Sequence, residues 1–475
     1  MTSDPAAVKR AAEALQSLKA AFPGRVTTAA DSASKYETER NRAWSQTCWT
    51  PAAAYVQLNT AEEVADALAI IKTTRSKFAI RGTGYNPNPG FSSIDETGVV
   101  LDLSHLNSKP LDADNVLHAG AGCTWGEVHA FLEEKKRSVT GSRDESIGLG
   151  GFLLGGGLPA FPSLHGFGSD GVKNFEVVLA DSRIVNANAA TNEDLYRALK
   201  GGGSNFGVVT RFDLETYPLI QTQYTINLYN PSDYVNILKA TADVQEALET
   251  DPKASLFTNF TANHAAVGLL YAGVPAEKPQ IFAPFSNLTS LTKTVTPTTN
   301  GTISSLSKAM AYPRESNKRA VSTVTTKVSS DLYADVHKAW LDVSKKLPAG
   351  TTLSYTIQPV SKAAVKAGRD RGGNVLGLEE VSQSWWVFTV EWPKTGDNTP
   401  AQQAVDDITQ NVRKLAREKG QLLEYTSMNF ANSSQNVLRS YGVQSIKPLM
   451  ETSAKYDAEG LFQKYQNDGF LLRNL

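Results

Sequence analysis

Cysteine and histidine are scarce in this sequence: Cys48 and Cys123 stand alone, and six histidines lie scattered at 105, 118, 129, 165, 264 and 337 among 475 residues. Two widely separated cysteines build neither a disulfide framework nor a Cys-x-x-Cys metal site. No two histidines fall at the i, i+4 spacing that points both rings from one helix face, so no metal is expected. Charge of one sign is lacking as well. The 47 Lys+Arg and 48 Asp+Glu leave a net charge of −1, which gives no field to gather nucleic acid or an anionic membrane. No apolar run reaches the roughly 18 residues of a membrane span, and Met1–Arg10 has no apolar core of the kind a secretory signal needs. The expectation is a soluble protein of the cytoplasm, or a secreted or vesicular one if a leader has been trimmed. The four Asn-x-Ser/Thr sites at Asn259, Asn287, Asn300 and Asn432 are background for a chain of this length.

The common phosphate and nucleophile motifs are missing too. Gly148-Leu-Gly150 is followed by Gly151-Phe-Leu, so no G-x-G-x-x-G opens a helix, and there is neither a G-x-x-x-x-G-K-[ST] nor a G-x-S-x-G. What the chain does have is 41 % hydrophobic residues and 35 glycines, enough for packed cores in two or three domains of roughly 100–200 residues each.

The pattern along the chain predicts a mixed α+β fold. Val8, Ala11, Ala12, Leu15 and Leu18 mark an amphipathic helix that ends at Pro23-Gly24. The runs Thr60-Ala-Glu-Glu63 and Thr124-Trp-Gly-Glu127 read as capping boxes at two further helix starts. Lys77–Arg81, Val99–Leu103, Val116–Ala119, Phe175–Ala180 and Val208–Leu214 read as strands. After Pro218 glycine thins out. The predicted strands Tyr224–Leu228, Leu256–Asn259, Ala266–Tyr271, Leu353–Pro359 and Trp386–Trp392 then alternate with helices near Val235–Leu248, Leu332–Leu347 and Ala401–Lys419, as in an antiparallel sheet with helices to one side. Three segments are expected: 1–217, 218–424 and 425–475, the last too short to fold alone and so returning to the first.

Glycine is densest between Gly141 and Gly207. It supplies close backbone approach and unusual φ, which suits a loop that presents N–H groups to a pyrophosphate. It equally marks tight turns and bulges in a β-rich core.

The ordered strings decide between these. Arg81-Gly-Thr-Gly-Tyr-Asn86, Gly120-Ala-Gly-Cys-Thr-Trp-Gly-Glu127, Ile147-Gly-Leu-Gly-Gly151, Asn174-Phe-Glu-Val-Val-Leu-Ala-Asp181 and Leu199-Lys-Gly-Gly-Gly-Ser-Asn-Phe-Gly-Val-Val209 closely resemble the FAD-binding domain of the vanillyl-alcohol oxidase and p-cresol methylhydroxylase superfamily. The branch they resemble is berberine-bridge-enzyme-like, common among fungal oxidoreductases of secondary metabolism. The match runs from about Trp44 to Pro218 and resumes at Tyr425–Tyr441 and Tyr456–Gln463. The resemblance implies an α/β FAD-binding domain in two parts, residues 1–217 with the 425–475 segment, and a substrate domain at 218–424.

It also implies site residues. Arg81, Gly82, Thr83, Gly84, Tyr85 and Asn86 match the loop that gives N–H groups to the pyrophosphate. Gly141, Ser142, Ser146, Ile147, Gly148 and Gly151 match the stretch beside the isoalloxazine and ribityl chain, and Gly207 and Val209 match the adenine end. Asn429 would orient the ring or the substrate. Members usually hold the flavin covalently through a His where this chain has Tyr85, and some add a Cys where it has Asp144 and Glu145. FAD is therefore expected without a covalent bond. The branch's Tyr-x-Asn-Tyr is here Ser427-Met-Asn-Phe430, which removes the usual phenolic base. Tyr425, Glu424, Glu391, His264 and Tyr85 are the candidates by type to replace it, and Tyr425, Asn429, Tyr85 and Glu391 are taken as the catalytic set.

Strand alternation splits the aromatic run at 385–392 into two faces, and Trp386 and Phe388 are expected to line the substrate pocket. The reading is an FAD-dependent oxidoreductase, monomeric or homodimeric. It would oxidise a small hydrophobic metabolite by hydride transfer to flavin N5, with molecular oxygen or another acceptor taking the electrons. The alternatives are a non-redox cyclase or pericyclase on the same scaffold and a binding protein with a structural flavin.

Overall fold

Thr60 begins the first crossover. Its hydroxyl accepts the Glu63 N–H at 3.2 Å, while the Glu63 carboxylate turns back to the Asn59 N–H at 2.7 Å. The helix so capped, Ala61–Thr74, carries the chain from strand Ala54–Gln57 to strand Lys77–Arg81. Val64, Leu68 and Ile71 recur every three or four residues and are fully buried, so the helix lies on the sheet by one face. In the computed structural model, which describes residues 4–311 and 316–475, both strands pair in parallel with Gly98–Asp102 between them. Val26–Thr27 completes this sheet as an antiparallel edge.

The second sheet is antiparallel and is organised on one long strand, Val208–Pro218. Val116–Gly120, Arg137–Val139 and Val172–Val178 pair with it directly, and Ile184–Asn188 extends it. Between its strands, helix Trp125–Glu134 starts on a reciprocal capping box at Thr124 and Glu127. A single apolar core runs through both sheets and takes in Leu449, Tyr456 and Phe462 from the end of the chain. There the Tyr456 hydroxyl donates to Asp194 at 2.7 Å, and the Phe462 ring meets Phe78 edge-on at 6.1 Å. The final segment thus closes over helix Glu193–Leu199 and the first sheet.

The third sheet has eight strands in the order Leu291–Thr302, Gln221–Tyr229, Ala265–Ala272, Ala254–Phe260, Thr352–Val360, Gln383–Trp392, Lys318–Lys327 and Leu422–Leu423. Helices Tyr234–Ala247, Ser330–Ser344 and Asn398–Glu418 cover one face of it, and their core contains Trp340, Ile408 and Val412. Trp386 and Phe388 belong to that core. Both are fully buried, and the Trp386 indole N–H donates to Thr326 Oγ1 at 3.0 Å while its ring meets Tyr333 edge-on. The expectation that these two line a pocket is therefore corrected: alternation turns the other set toward the first two sheets. Trp385 stacks flat on Phe167 there, at 5.5 Å and 5°. The fold is mixed α+β, and no helix among the described residues is long and apolar enough to cross a membrane.

Candidate active site

The strand Lys77–Arg81 delivers the loop 82–86 to the seam between the first two sheets. Its last residue is buried, and its guanidinium is taken up from below. Arg81 Nε donates to Asp102 at 2.9 Å, Nη1 donates to the Glu39 carbonyl at 2.6 Å, and Nη2 pairs with the Glu39 and Asp102 carboxylates. Arg81, expected among the cofactor ligands, thus anchors the loop and has its fork turned away from it. Burial works against ionisation of Asp102, but Arg81, Arg42 and the Ser104 hydrogen bonds outweigh it and hold the carboxyl below its ordinary range.

Arg81→Met leaves Asp102 and Glu39 short of a buried partner, a change that costs about 3–5 kcal/mol where nothing compensates. Arg42, 2.8 Å from Asp102, keeps the expected loss near the lower figure. Because the folded-state pKa of Asp102 is depressed, this stabilisation is present above about pH 4, the unfolded value, and is lost as pH falls further. Thermal unfolding checks it: the gap in Tm between wild type and variant is wide at pH 7 and narrows below pH 4.

The loop itself is built to donate. Gly84 turns it at φ +73°, and its carbonyl accepts the Trp44 N–H at 3.0 Å. The N–H groups of Gly82, Thr83, Gly84 and Asn86 donate to no described protein group. A short helix, Leu149–Leu154, starts opposite. Its first-turn N–H groups at Gly150 and Gly151 have no intrahelical acceptor by geometry. A Cβ on Gly148 would stand 2.7 Å from Thr83 Oγ1, so the two segments touch there, whereas a Cβ on Gly151 would meet nothing within 4 Å. Close contact at one glycine and open space at the next leave two sets of unpaired N–H groups around a gap. That arrangement fits a dianionic pyrophosphate and needs no net basic charge.

Asp144 ties the two segments together. Its carboxylate accepts from the Ser146 N–H at 2.9 Å, from the Ser146 hydroxyl at 2.6 Å and from the Tyr85 hydroxyl at 3.0 Å. The Tyr85 ring stacks on Trp44 at 4.7 Å and 6°, and the Arg319 guanidinium lies 4.5 Å from the Trp44 ring. Behind this segment, burial drives the His129 pKa down to about 4. The neutral ring faces the Ser142 carbonyl at 2.8 Å and donates to it. A Cβ on Gly141 would strike the Trp125 ring at 2.3 Å. Ser142 accepts the Asp144 N–H at 3.0 Å, and Ile147 carries the carbonyl that holds the Trp125 N–H at 2.9 Å. Gly207 packs against Val177 and Val178, with the Val209 side chain in the adjoining core.

The remaining candidates are placed otherwise than expected. The Asn429 amide is taken up by backbone: its oxygen accepts the Gly157 N–H at 2.9 Å, and its nitrogen donates to the Gly151 and Phe152 carbonyls at 2.9 and 3.3 Å. It caps the end of helix Leu149–Leu154 and positions that segment without presenting its amide to a ring. Tyr425 is buried between Trp385 and Tyr441, and burial pushes its phenol well above the ordinary value, with no carboxylate bonded to its hydroxyl among the described residues. Glu391 Oε1 accepts from Arg319 Nε at 2.6 Å. Glu424 is exposed and pairs with Arg413, and His264 sits in the hairpin turn after Ala254–Phe260. Of the titratable candidates, only Tyr85 stands on the loop with a carboxylate behind its hydroxyl. Among the described residues no cluster of His, Cys, Asp and Glu could hold a metal.

Sequence reasoning missed Trp44 and Arg143. Arg143 stands between Ser142 and Asp144 yet reaches the third sheet, where it donates to Gln358 and its guanidinium carbon lies 5.6 Å from the Phe257 ring centroid.

Residues 52–188 match the family described as FAD binding domain. An FAD-dependent monooxygenase of Arthrobotrys oligospora is 34 % identical over 90 % of this chain and 84 % of its own length. The chain belongs to this FAD-binding oxidoreductase family. FAD-dependent monooxygenase macF of Penicillium terrestre is 32 % identical over 92 % of the chain and 85 % of its own. Among solved structures, the family fold is shared with glucooligosaccharide oxidase from Acremonium strictum, at a TM-score of 0.79 and 18 % identity over 97 % of this chain and 99 % of that one. It is shared also with 6-hydroxy-D-nicotine oxidase from Arthrobacter nicotinovorans, at 0.78 and 17 % over 94 % and 98 %.

Proposed function

We propose that this protein oxidises a small hydrophobic metabolite at a carbon bearing a hydroxyl group, using FAD held without a covalent bond. The observation that carries the reading is the Tyr85–Asp144 hydrogen bond at 3.0 Å, on a loop that meets the Gly148–Gly151 segment at Thr83. FAD supplies the hydride acceptor at N5, and molecular oxygen or another acceptor then takes the electrons. The chain's own part is the proton. Tyr85 takes the proton of the substrate hydroxyl as it passes its own to Asp144, and Ser146 holds the carboxylate in place through its N–H and hydroxyl. The third sheet, by its face opposite the helices, roofs the reacting centre and excludes water.

Non-covalent attachment follows from side-chain chemistry. Glucooligosaccharide oxidase from Acremonium strictum carries a 6-S-cysteinyl, 8α-N1-histidyl FAD. Here a phenol and a carboxylate, each hydrogen-bonded to the other, stand where the resemblance puts those links. The purified protein is expected to be yellow, to release its flavin into the supernatant on acid precipitation, and to be bleached by its substrate without oxygen. Flavin retained in the pellet overturns the attachment. Product formation with the flavin spectrum unchanged throughout overturns the redox reading.

A further inference from the structure

Arg143 is a half-buried cation that makes no ion-pair contact, although the Asp144 carboxylate acts on it at longer range. Among the described residues no carboxylate lies within ion-pair distance of its guanidinium. Its sequence neighbour Asp144 is engaged by Tyr85 and Ser146, and the acceptor Arg143 does reach, Gln358 Oε1, is neutral. Loss of hydration lowers its pKa to about 10. A guanidinium has five N–H donors in a fixed fork, and of those of Arg143 only one nitrogen, Nη2, donates to a described protein group, which leaves donors open to a partner that arrives.

The surroundings show where that partner sits. Phe257, which lies under the guanidinium, is held flat because its ring covers Gly268, where a Cβ would stand 2.0 Å from the ring edge. Beside it on the same sheet face, Asn259 donates to Thr356 Oγ1 at 2.9 Å. Phe257, Asn259, Thr356 and Thr389 are all only half-buried, so this face is not packed shut as the helix-covered face is. The result is a neutral floor of one aromatic and several small polar side chains with a positive fork at its edge, carried by the residue that precedes Asp144 in the chain. Planar delocalised oxyanions match that fork in two parallel hydrogen bonds.

We propose that Arg143 is the specificity-determining residue of the substrate site and that the substrate carries a carboxylate, bound by the Arg143 fork with its apolar body against Phe257. This rests on the reading of the same site as that of an FAD-dependent oxidoreductase. It does not need turnover, so its test is a binding test.

The FAD-loaded protein is titrated with benzoate and, separately, with benzamide by calorimetry, alongside the perturbation of the flavin absorption band. Benzoate is expected to bind at least tenfold more tightly than benzamide. Arg143→Gln should bring benzoate down to the benzamide level, and Arg143→Lys should recover part of the difference. Gln358→Glu supplies an internal carboxylate to the fork, so it should abolish benzoate binding while Tm holds or rises. That second variant decides the matter even where Arg143→Gln folds poorly. Equal affinity for benzoate and benzamide in the wild type, no measurable benzoate binding, or benzoate affinity unchanged in Gln358→Glu would each overturn the proposal. A failed redox reading would show instead as a flavin that no substrate bleaches, with the benzoate result intact.

Discussion

A leucine in place of Gly151 is expected to leave the protein folded and nearly free of FAD. Gly151 lies in the first turn of helix Leu149–Leu154 without a positive φ, and an added Cβ there meets nothing within 4 Å. Leucine is a better helix former than glycine, by somewhat less than the roughly 0.8–1.0 kcal/mol that separates glycine from alanine, so the apo-protein should unfold at the same temperature or slightly higher. What the side chain fills is the open space beside that turn, where the proposed reading puts the pyrophosphate. The ratio of flavin to protein absorbance is expected to fall at least tenfold. Gly148→Ala is the contrasting case, since its Cβ would stand 2.7 Å from Thr83 Oγ1. There Tm and FAD content should drop together, because the two segments are forced apart. Normal FAD content in Gly151→Leu would place the cofactor elsewhere.

Why glycine stands at these positions is open in the sequence for a physical reason. Close backbone packing and open space for a ligand select the same residue, and only the measured neighbours of Gly148 and Gly151 tell them apart. Secondary structure is easier to read where burial imposes a period. Lys77–Arg81 reads as a strand and has those bounds, and the Trp386–Trp392 run lies within Gln383–Trp392. Alternation divides such a strand into two faces without saying which one the helices cover, and so the pattern alone puts Trp386 and Phe388 on the wrong side.

Among the strands that the pattern does not reveal, the longest are Leu291–Thr302 and Lys318–Lys327. The first is an exposed edge rich in threonine and interrupted by Pro297, with no apolar face to set a period. The functional side chains follow the same logic. Asn429 matches a motif by type, but its bonds to Gly151, Phe152 and Gly157 come from a segment far earlier in the chain. The partner of Arg143, Gln358, is 215 positions away. Nothing local in the sequence marks contacts of that range.

Tyr85→Phe is expected to lower the rate of flavin reduction by about 100-fold or more, the low end of what a positioned proton-transfer group contributes, with little change in FAD content. The separation of the two effects follows from how the ring is held. Stacking on Trp44 at 4.7 Å, with Arg319 over the same indole, depends on the ring and not on its hydroxyl, so phenylalanine keeps the loop in place. What disappears is the O–H that links the substrate hydroxyl to Asp144 Oδ2. Asp144→Asn should show a comparable loss, because an amide oxygen still accepts from Tyr85 but is a far weaker home for the proton. With the two residues acting as one relay, as proposed, the double variant should cost little more than either single one. Anaerobic stopped-flow measurement of flavin reduction reads this directly. A Tyr85→Phe rate within about threefold of wild type would assign the proton to another group.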